Sequence, residues 1–280
     1  MLDLKAFPPS AGLQPIVQRY VHTTAQLPEG LVFDYLLIPA LSEVIYFNLN
    51  DQPQLFIMKD GVEVLMKDCV LGGQYSHSFQ TRFRGNVNLL GIHMNTPALS
   101  QLFGINMRPN LDNAILLEKV IGKEASKLLQ EMRQLDSIGL VIERLEVFLT
   151  KMLEQSTSSD FETVRHSLLM IKGAPGTITV KQLAASNNIS ERTLQKIFSN
   201  QVGLTPKEYI RIFRLNEVIN TMNDDTFSWK YVVETLGYFD QSHFLNDFKS
   251  IVGKTPSEYY VNHPTINRFF TEFIKDSKAE

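Results

Sequence analysis

A chain of 280 residues with 44% hydrophobic side chains is long enough for two domains and far too apolar for a disordered polymer. Its single cysteine, Cys69, excludes an intrachain disulfide and suits a reducing, cytoplasmic setting. A net charge of −3 gives no overall attraction to nucleic acid, and no run of about 18 apolar residues offers a membrane span. The opening MLDLKAFPPS lacks a basic stretch followed by an apolar one, so a secretory signal is not expected.

Residues 1 to about 95 read as strands. LVFDYLLI, EVIYFNL, PQLFIMKDG, VEVLMKDCVLGG and GNVNLLGIHM are short β-rich runs broken by Pro, Gly, Asn and Asp, a spacing that predicts an antiparallel sandwich or barrel. From residue 97 the pattern turns helical. TPALSQLFG predicts a helix with a Thr cap, Pro at its first position and an end near Gly104. Two more helices follow, broken near Asp136–Gly139, and in the second Leu140, Val141, Leu145, Phe148, Leu149 and Met152 recur at helical spacing. Helix 138–153 either packs that stripe on its own barrel or makes a subunit contact. The polar STSSD at 156–160 reads as a linker between a domain at 1–155 and another at 161–262, and 263–280 reads as a tail.

The second domain contains one phrase twice. NNISERTLQKIFSNQVGLTPKEYI at 187–210 and GYFDQSHFLNDFKSIVGKTPSEYY at 237–260 share a Phe, a Gly and a Thr-Pro-x-Glu-Tyr at equivalent places. Each copy predicts a short helix, capped by Thr179 or Ser228, then a turn plugged by Ile189 or by Tyr238–Phe239. A second helix follows, capped by Ser190 or Asp240, with a sparse buried face of Leu194, Ile197 and Phe198, or of Phe244 and Phe248. The offset between copies is 49 before this turn and 50 after it, so the second turn is one residue longer. This is the helix-turn-helix pattern, in which the second helix enters the major groove.

The outer faces of those second helices, at about 190–201 and 240–251, are therefore the candidate DNA-contact surface. The first carries Ser190, Arg192, Thr193, Gln195, Lys196 and Ser199; the second carries Gln241, Ser242, His243, Asn246 and Lys249, with Leu245 among them. Arg can chelate guanine and Gln adenine, each good pair discriminating by roughly 1–3 kcal/mol. A solvated helix face is the plain reading of any one residue, but the set placed twice favours double-stranded DNA. Between the copies, Tyr209, Ile212, Phe213, Leu215, Val218, Ile219 and Met222 stripe a helix at 205–222 that both small cores can share. A helix of about 18 residues is about 27 Å long, and successive major grooves lie about 34 Å apart along one face. Slight DNA bending closes the gap, and two weak grips become one strong one.

These residues resemble the AraC family of bacterial transcription regulators over roughly 163–262, in LAASNNISERTLQKIFSNQVGLTPKEYIRIFRLNEV and LGYFDQSHFLNDFKSIVGKTPSEY. The resemblance implies tandem helix-turn-helix motifs and places base contacts on Arg192, Gln195, Lys196, Gln241, Ser242, His243 and Asn246. The family often has basic residues near 246 and 247, where this chain has Asn246 and Asp247, and Val233 is followed by Glu234 where a small aliphatic residue or Ala is common. With eleven Lys/Arg against nine Asp/Glu over 163–262, the second motif is expected to attract phosphate weakly. LIPALSEVIYFNL, VLGGQYSHSFQT and LLGIHMNTPALSQLFG resemble the cupin-like sensor domains attached to many members, which implies an α+β chain whose barrel senses a small-molecule effector or dimerises. RNA polymerase and a second copy of the chain are the other partners so implied.

Candidate chemistry in the barrel is thin. A metal-binding cupin needs clustered imidazoles, and His22, His77 and His93 are widely spaced with no His-x-His doublet, so neither metal nor cofactor is expected. Cys69 has no His–carboxylate arrangement near it in sequence, and Walker and dinucleotide fingerprints are absent. The aromatics Phe33, Tyr35, Tyr46, Phe47, Phe56 and Phe79 either fill the barrel core or line a pocket, with Tyr46, His77 and His93 as candidate polar anchors. Adjacent Tyr46 and Phe47 point to opposite faces if both lie in a strand. The leading expectation is a DNA-binding regulator with a ligand-sensing barrel. A barrel that only dimerises or docks a protein is the second reading, and a cupin-like enzyme is the third.

Overall fold

Alternating side chains fold the N-terminal part into two antiparallel sheets in a computed structural model that describes residues 2–52, 55–59, 62–66, 68–156, 161–222 and 229–262. The strands are β1 (Asp3–Phe7), β2 (Val17–Gln26), β3 (Val32–Leu37), β4 (Glu43–Asn48), β5 (Leu55–Lys59), β6 (Val62–Leu65), β7 (Cys69–Gly72), β8 (Phe79–Arg84), β9 (Asn86–Met94) and β10 (Ala114–Leu116). One sheet runs β1-β2-β9-β4-β7-β10 and the other β3-β8-β5-β6. β1, β2 and β8 lie outside the runs read as strands, and β10 falls where helix was expected. β10 is three residues long, and pairing of Ile115 with Leu71 on β7 supplies what local pattern does not.

The larger sheet is apolar on both faces, and that decides where everything else sits. Ala25, Val70, Val87 and Leu89 face the second sheet, where they meet Leu55 and Met66. Tyr20, Ile45, Phe47, Leu90 and Ile92 face outward under a helical layer. Tyr46 and Phe47 thus split as a strand requires: Phe47 is fully buried under the helices, and Tyr46 turns between the sheets. This two-layer arrangement agrees with the expected cupin-like barrel.

The helical layer comprises α1 (Ala98–Phe103), α2 (Glu118–Ile121), α3 (Lys123–Arg133) and α4 (Ile138–Glu154). α1 ends at Gly104 in the left-handed conformation, as expected, but Pro97 occupies its N-cap and no side chain caps it. Thr96, the expected cap, instead accepts from Gln74 Nε2 at 2.8 Å. Ser137 caps α4, and Val141, Leu145, Phe148 and Leu149 bury against the sheet, so the predicted stripe packs on its own domain. Leu140 and Val147 remain exposed.

The second domain holds α5 (Phe161–Gly173), α6 (Val180–Ser186), α7 (Glu191–Gln201), α8 (Pro206–Met222), α9 (Trp229–Leu236), α10 (Gln241–Val252) and α11 (Pro256–Asn262). Of the expected linker only Ser156 is described, and the tail at 263–280 lies outside the described residues. A single apolar cluster unites Leu194 and Phe198 of one copy, Phe244 and Phe248 of the other, and Ile212, Leu215, Val218 and Ile219 of α8 between them. Both small cores do share the connecting helix.

Candidate nucleic-acid interface and sensor cavity

Capping explains why the chain repeats itself. Thr205 N–H donates to Glu208 Oε2 at 2.7 Å, and Glu208 N–H returns a bond to Thr205 Oγ1 at 3.2 Å. Thr255 and Glu258 make the same reciprocal pair at 2.7 and 3.3 Å. Each Thr-Pro-x-Glu is thus a capping box with Pro at the first helical position, which starts α8 and α11 at a fixed residue. Thr179 and Gln182 form a third box on α6. Ser228, the expected cap of α9, lies outside the described residues.

The turns show where the extra residue went. Asn188 (φ 55°) and Gly237 (φ 67°) hold the left-handed position of the two turns. Aligned there, Ile189 matches Tyr238 and the N-caps Ser190 and Asp240 match, which leaves Phe239 as the insertion. Tyr238 is the plug, 1% exposed and edge-on to Phe244 at 5.6 Å. Phe239 is 86% exposed, which corrects the expectation that both aromatics plug the turn.

On the second helix of the first copy, α7, Leu194 and Phe198 are fully buried, while Arg192, Gln195 and Lys196 stand in solvent and Ser199 is half-buried. Ser190 and Thr193 are exposed, but their hydroxyls sit 2.8 Å apart and Ser190 Oγ accepts the Thr193 N–H, so both serve the cap. On α10, Gln241, Ser242, Asn246 and Lys249 are exposed. His243 is half-buried, its Nδ1 accepting from Phe239 N at 3.3 Å and its ring edge-on to Tyr238 at 5.1 Å. That ring is committed to the turn.

Asp247 stands where the family often has a basic residue. It is buried rather than facing outward, and it accepts from Arg211 Nε of α8 at 2.9 Å, with Arg214 at 3.9 Å. Its charge is matched by the connecting helix and does not oppose phosphate. Arg214 also donates to Gly237 O at 3.0 Å and lies over the Tyr238 ring, 4.6 Å from its centre. Gly176, φ 78°, packs against the end of α9, where a Cβ would lie 2.0 Å from Leu236 O. Only glycine fits there.

The barrel touches both copies at equivalent places. In the first, Met107 N donates to Asn200 O at 2.7 Å and Arg108 Nη1 to Gly203 O at 3.0 Å. In the second, Ser78 donates through N to Ile251 O and through Oγ to Val252 O, both at 2.7 Å. Each of these second helices is held at its trailing end, and its capped leading end is left outside. The repeated tyrosines follow the same logic: Tyr209 feels the buried Glu43 of β4, and Tyr35 of β3 feels Tyr259.

Behind these contacts lies a cavity of about 180 Å³ between the sheets, lined by Tyr35, Ile38, Tyr46, Tyr75, Phe79 and His93 among others. Burial lifts the Tyr46 phenol to about 12, and burial with the adjacent Arg19 charge lowers the His93 imidazole to about 3, so both are neutral at pH 7. His77 does not line it. Its ring is exposed on the 73–79 loop, Nδ1 3.4 Å from Asp112, a correction to the expected trio of anchors. Glu43 is fully buried, and burial raises its carboxyl to about 8 against the Leu99 N–H that it accepts at 2.7 Å. Sequence reading passed over Glu43 and Ser78, and gave Phe239 to the turn's plug. A lone acid in EVIYF and the one-residue change of offset were the available signals. Among the described residues no group of three or more His, Cys, Asp or Glu is placed to hold a metal ion, and no helix is long and apolar enough to cross a membrane.

Two capped helices sharing one connecting helix define a tandem helix-turn-helix protein. Residues 183–261 match the family described as a helix-turn-helix domain, and residues 5–115 match a domain of unknown function, DUF6597. The uncharacterized HTH-type transcriptional regulator YidL of Escherichia coli is 36% identical over 31% of this chain and 30% of its own length. The Msm operon regulatory protein of Streptococcus mutans is 29% identical over 41% of this chain and 42% of its own. The chain thus spans less than half the length of these relatives. ToxT from Vibrio cholerae aligns over 82% of this chain and 97% of its own at 14% identity, with a TM-score of 0.46. Over its helix-turn-helix region the chain is similar to AraC-type transcriptional regulators.

Proposed function

We propose that this protein is a sequence-specific DNA-binding transcription regulator whose α7 and α10 enter successive major grooves. The observation that carries this reading is the double presentation of capped, solvent-facing helix ends with Arg192, Gln195 and Lys196 on one and Gln241, Ser242 and Asn246 on the other. Arg192, Gln195, Gln241 and Asn246 are the base readers, and Lys196, Lys249 and the hydroxyls of Ser199 and Ser242 hold phosphate or sugar. Selection of bound duplexes from random DNA tests it. Two short motifs about one helical turn apart are expected; a single motif removes α10 from the readout, and no enrichment removes the reading.

The barrel in this proposal senses a small, mostly apolar effector in the cavity behind Tyr46 and His93. Its supporting observation is continuity: the 73–79 loop lines the cavity with Tyr75 and Phe79 and grips α10 with Ser78. An occupant that moves this loop changes how α10 is held, and a few kcal/mol of differential affinity shifts promoter occupancy. A metabolite screen by thermal melting checks this. The exposed Leu140 and Val147 on α4 favour the second reading, a barrel that only pairs with its twin, and tight self-association with no melting shift would select it.

A further inference from the structure

We infer that Phe239 is a base-reading residue of the second motif, recognising the C5-methyl group of a thymine at the leading end of α10. This rests on the DNA-binding reading above and deepens it. The first motif closes its turn with Ile189 alone and goes straight to the N-cap Ser190. The second closes its turn with Tyr238, whose ring is already packed edge-on against Phe244 and His243. Phe239 is therefore surplus to the fold. It is also placed in water, 86% exposed, where its ring gains nothing from burial.

Its position is what gives it a partner. It immediately precedes the N-cap Asp240, and its backbone N–H is fastened to His243 Nδ1 at 3.3 Å, so the ring starts from a fixed point at the helix end that meets base edges. The exposed residues that follow are Gln241, Ser242, Leu245, Asn246 and Lys249. Gln and Asn suit adenine, and an apolar group suits the thymine methyl paired with it. Leu245 is a second apolar side chain, 38% exposed, four residues after Gln241 and so on the same helix face. With Asp247 turned inward to Arg211, this helix offers one exposed cation, Lys249, and adds methyl contacts to its amide readers where α7 adds charge.

The test uses the full-length protein and a duplex selected from random DNA. Each thymine of the second half-site is replaced singly by uracil, which removes only the methyl group, and wild type, Phe239→Ala and Phe239→Leu are titrated on each duplex. Wild type should lose roughly fourfold in affinity at one thymine, the worth of one buried methyl group. Phe239→Ala should bind thymine and uracil duplexes equally there, and Phe239→Leu should keep part of the difference. Circular dichroism and melting of Phe239→Ala should match wild type, since the ring is outside the core. If wild type is indifferent to every uracil, if Phe239→Ala behaves as wild type throughout, or if it weakens both duplexes equally, the inference is overturned. A variant that binds DNA normally yet fails to activate transcription with purified RNA polymerase would assign the ring to a protein instead, which also overturns it. Failure of wild type to select any duplex would sink the DNA-binding reading itself.

Discussion

The two helix-turn-helix copies solve the same folding problem with different surface chemistry. Their buried halves are built alike: Phe198 and Phe248 are both fully buried, each copy has a residue in the left-handed turn position, and each is followed by a Thr-Pro-x-Glu capping box. Their outer halves diverge. The first opens on a neutral Ser190 and carries Arg192 and Lys196; the second opens on Asp240, adds Phe239 and carries Lys249. Packing constrains the inner face because a core tolerates little change in volume. The outer face answers only to what it meets.

The firmest test of the shared half is stability. Phe198→Ala and Phe248→Ala should each cost roughly 3–5 kcal/mol in denaturant unfolding. Costs differing by more than half would break the equivalence of the two cores. On the outer half, Arg192→Ala should lower affinity by roughly 1–3 kcal/mol and relax preference at one base, read from a randomised site library. Unchanged preference would return Arg192 to the solvated surface.

Proton linkage acts where the first copy meets the barrel. Glu43 keeps its proton in the folded state up to about pH 8 but loses it near 4.5 when unfolded, so its contribution to stability falls as pH rises between those values. His93, folded near 3 and unfolded near 6.5, acts with the opposite sign and only below pH 6.5. Stability should therefore drop by about 2 kcal/mol from pH 6.5 to 8, and Glu43→Gln should remove the drop in melting experiments. The charge appears beside Tyr209, so the first copy should loosen from the barrel as it forms, measured by amide exchange around residues 200–210. The smallest effect belongs to Lys249→Ala, a weakening nearly uniform across sequences with the salt slope reduced by about 0.9.

Much of this molecule was legible in advance, and the reasons differ by region. The capping boxes, the helix faces and the break before α4 are local, so spacing and cap residues reveal them. β2 was missed because VQRYVHTTAQ carries Arg, His and Gln that sit half-buried at the sheet and cavity. The inward turn of Asp247 depends on Arg211, 36 residues away. The docking contacts at Asn200, Gly203, Ile251 and Val252 use carbonyl oxygens, which every residue has and no sequence pattern marks. For the readers, residue type showed which side chains face out but not that His243 is tied down or that Phe239 is free.

The Ser78 grip on α10 implies a reciprocal dependence. Whatever factor a cavity occupant applies to operator affinity through the 73–79 loop, operator must apply to the occupant, because the two equilibria share one thermodynamic cycle. A promoter would then tune the effector threshold of the protein bound to it, and molecules parked on different sites in one cell would respond at different effector concentrations.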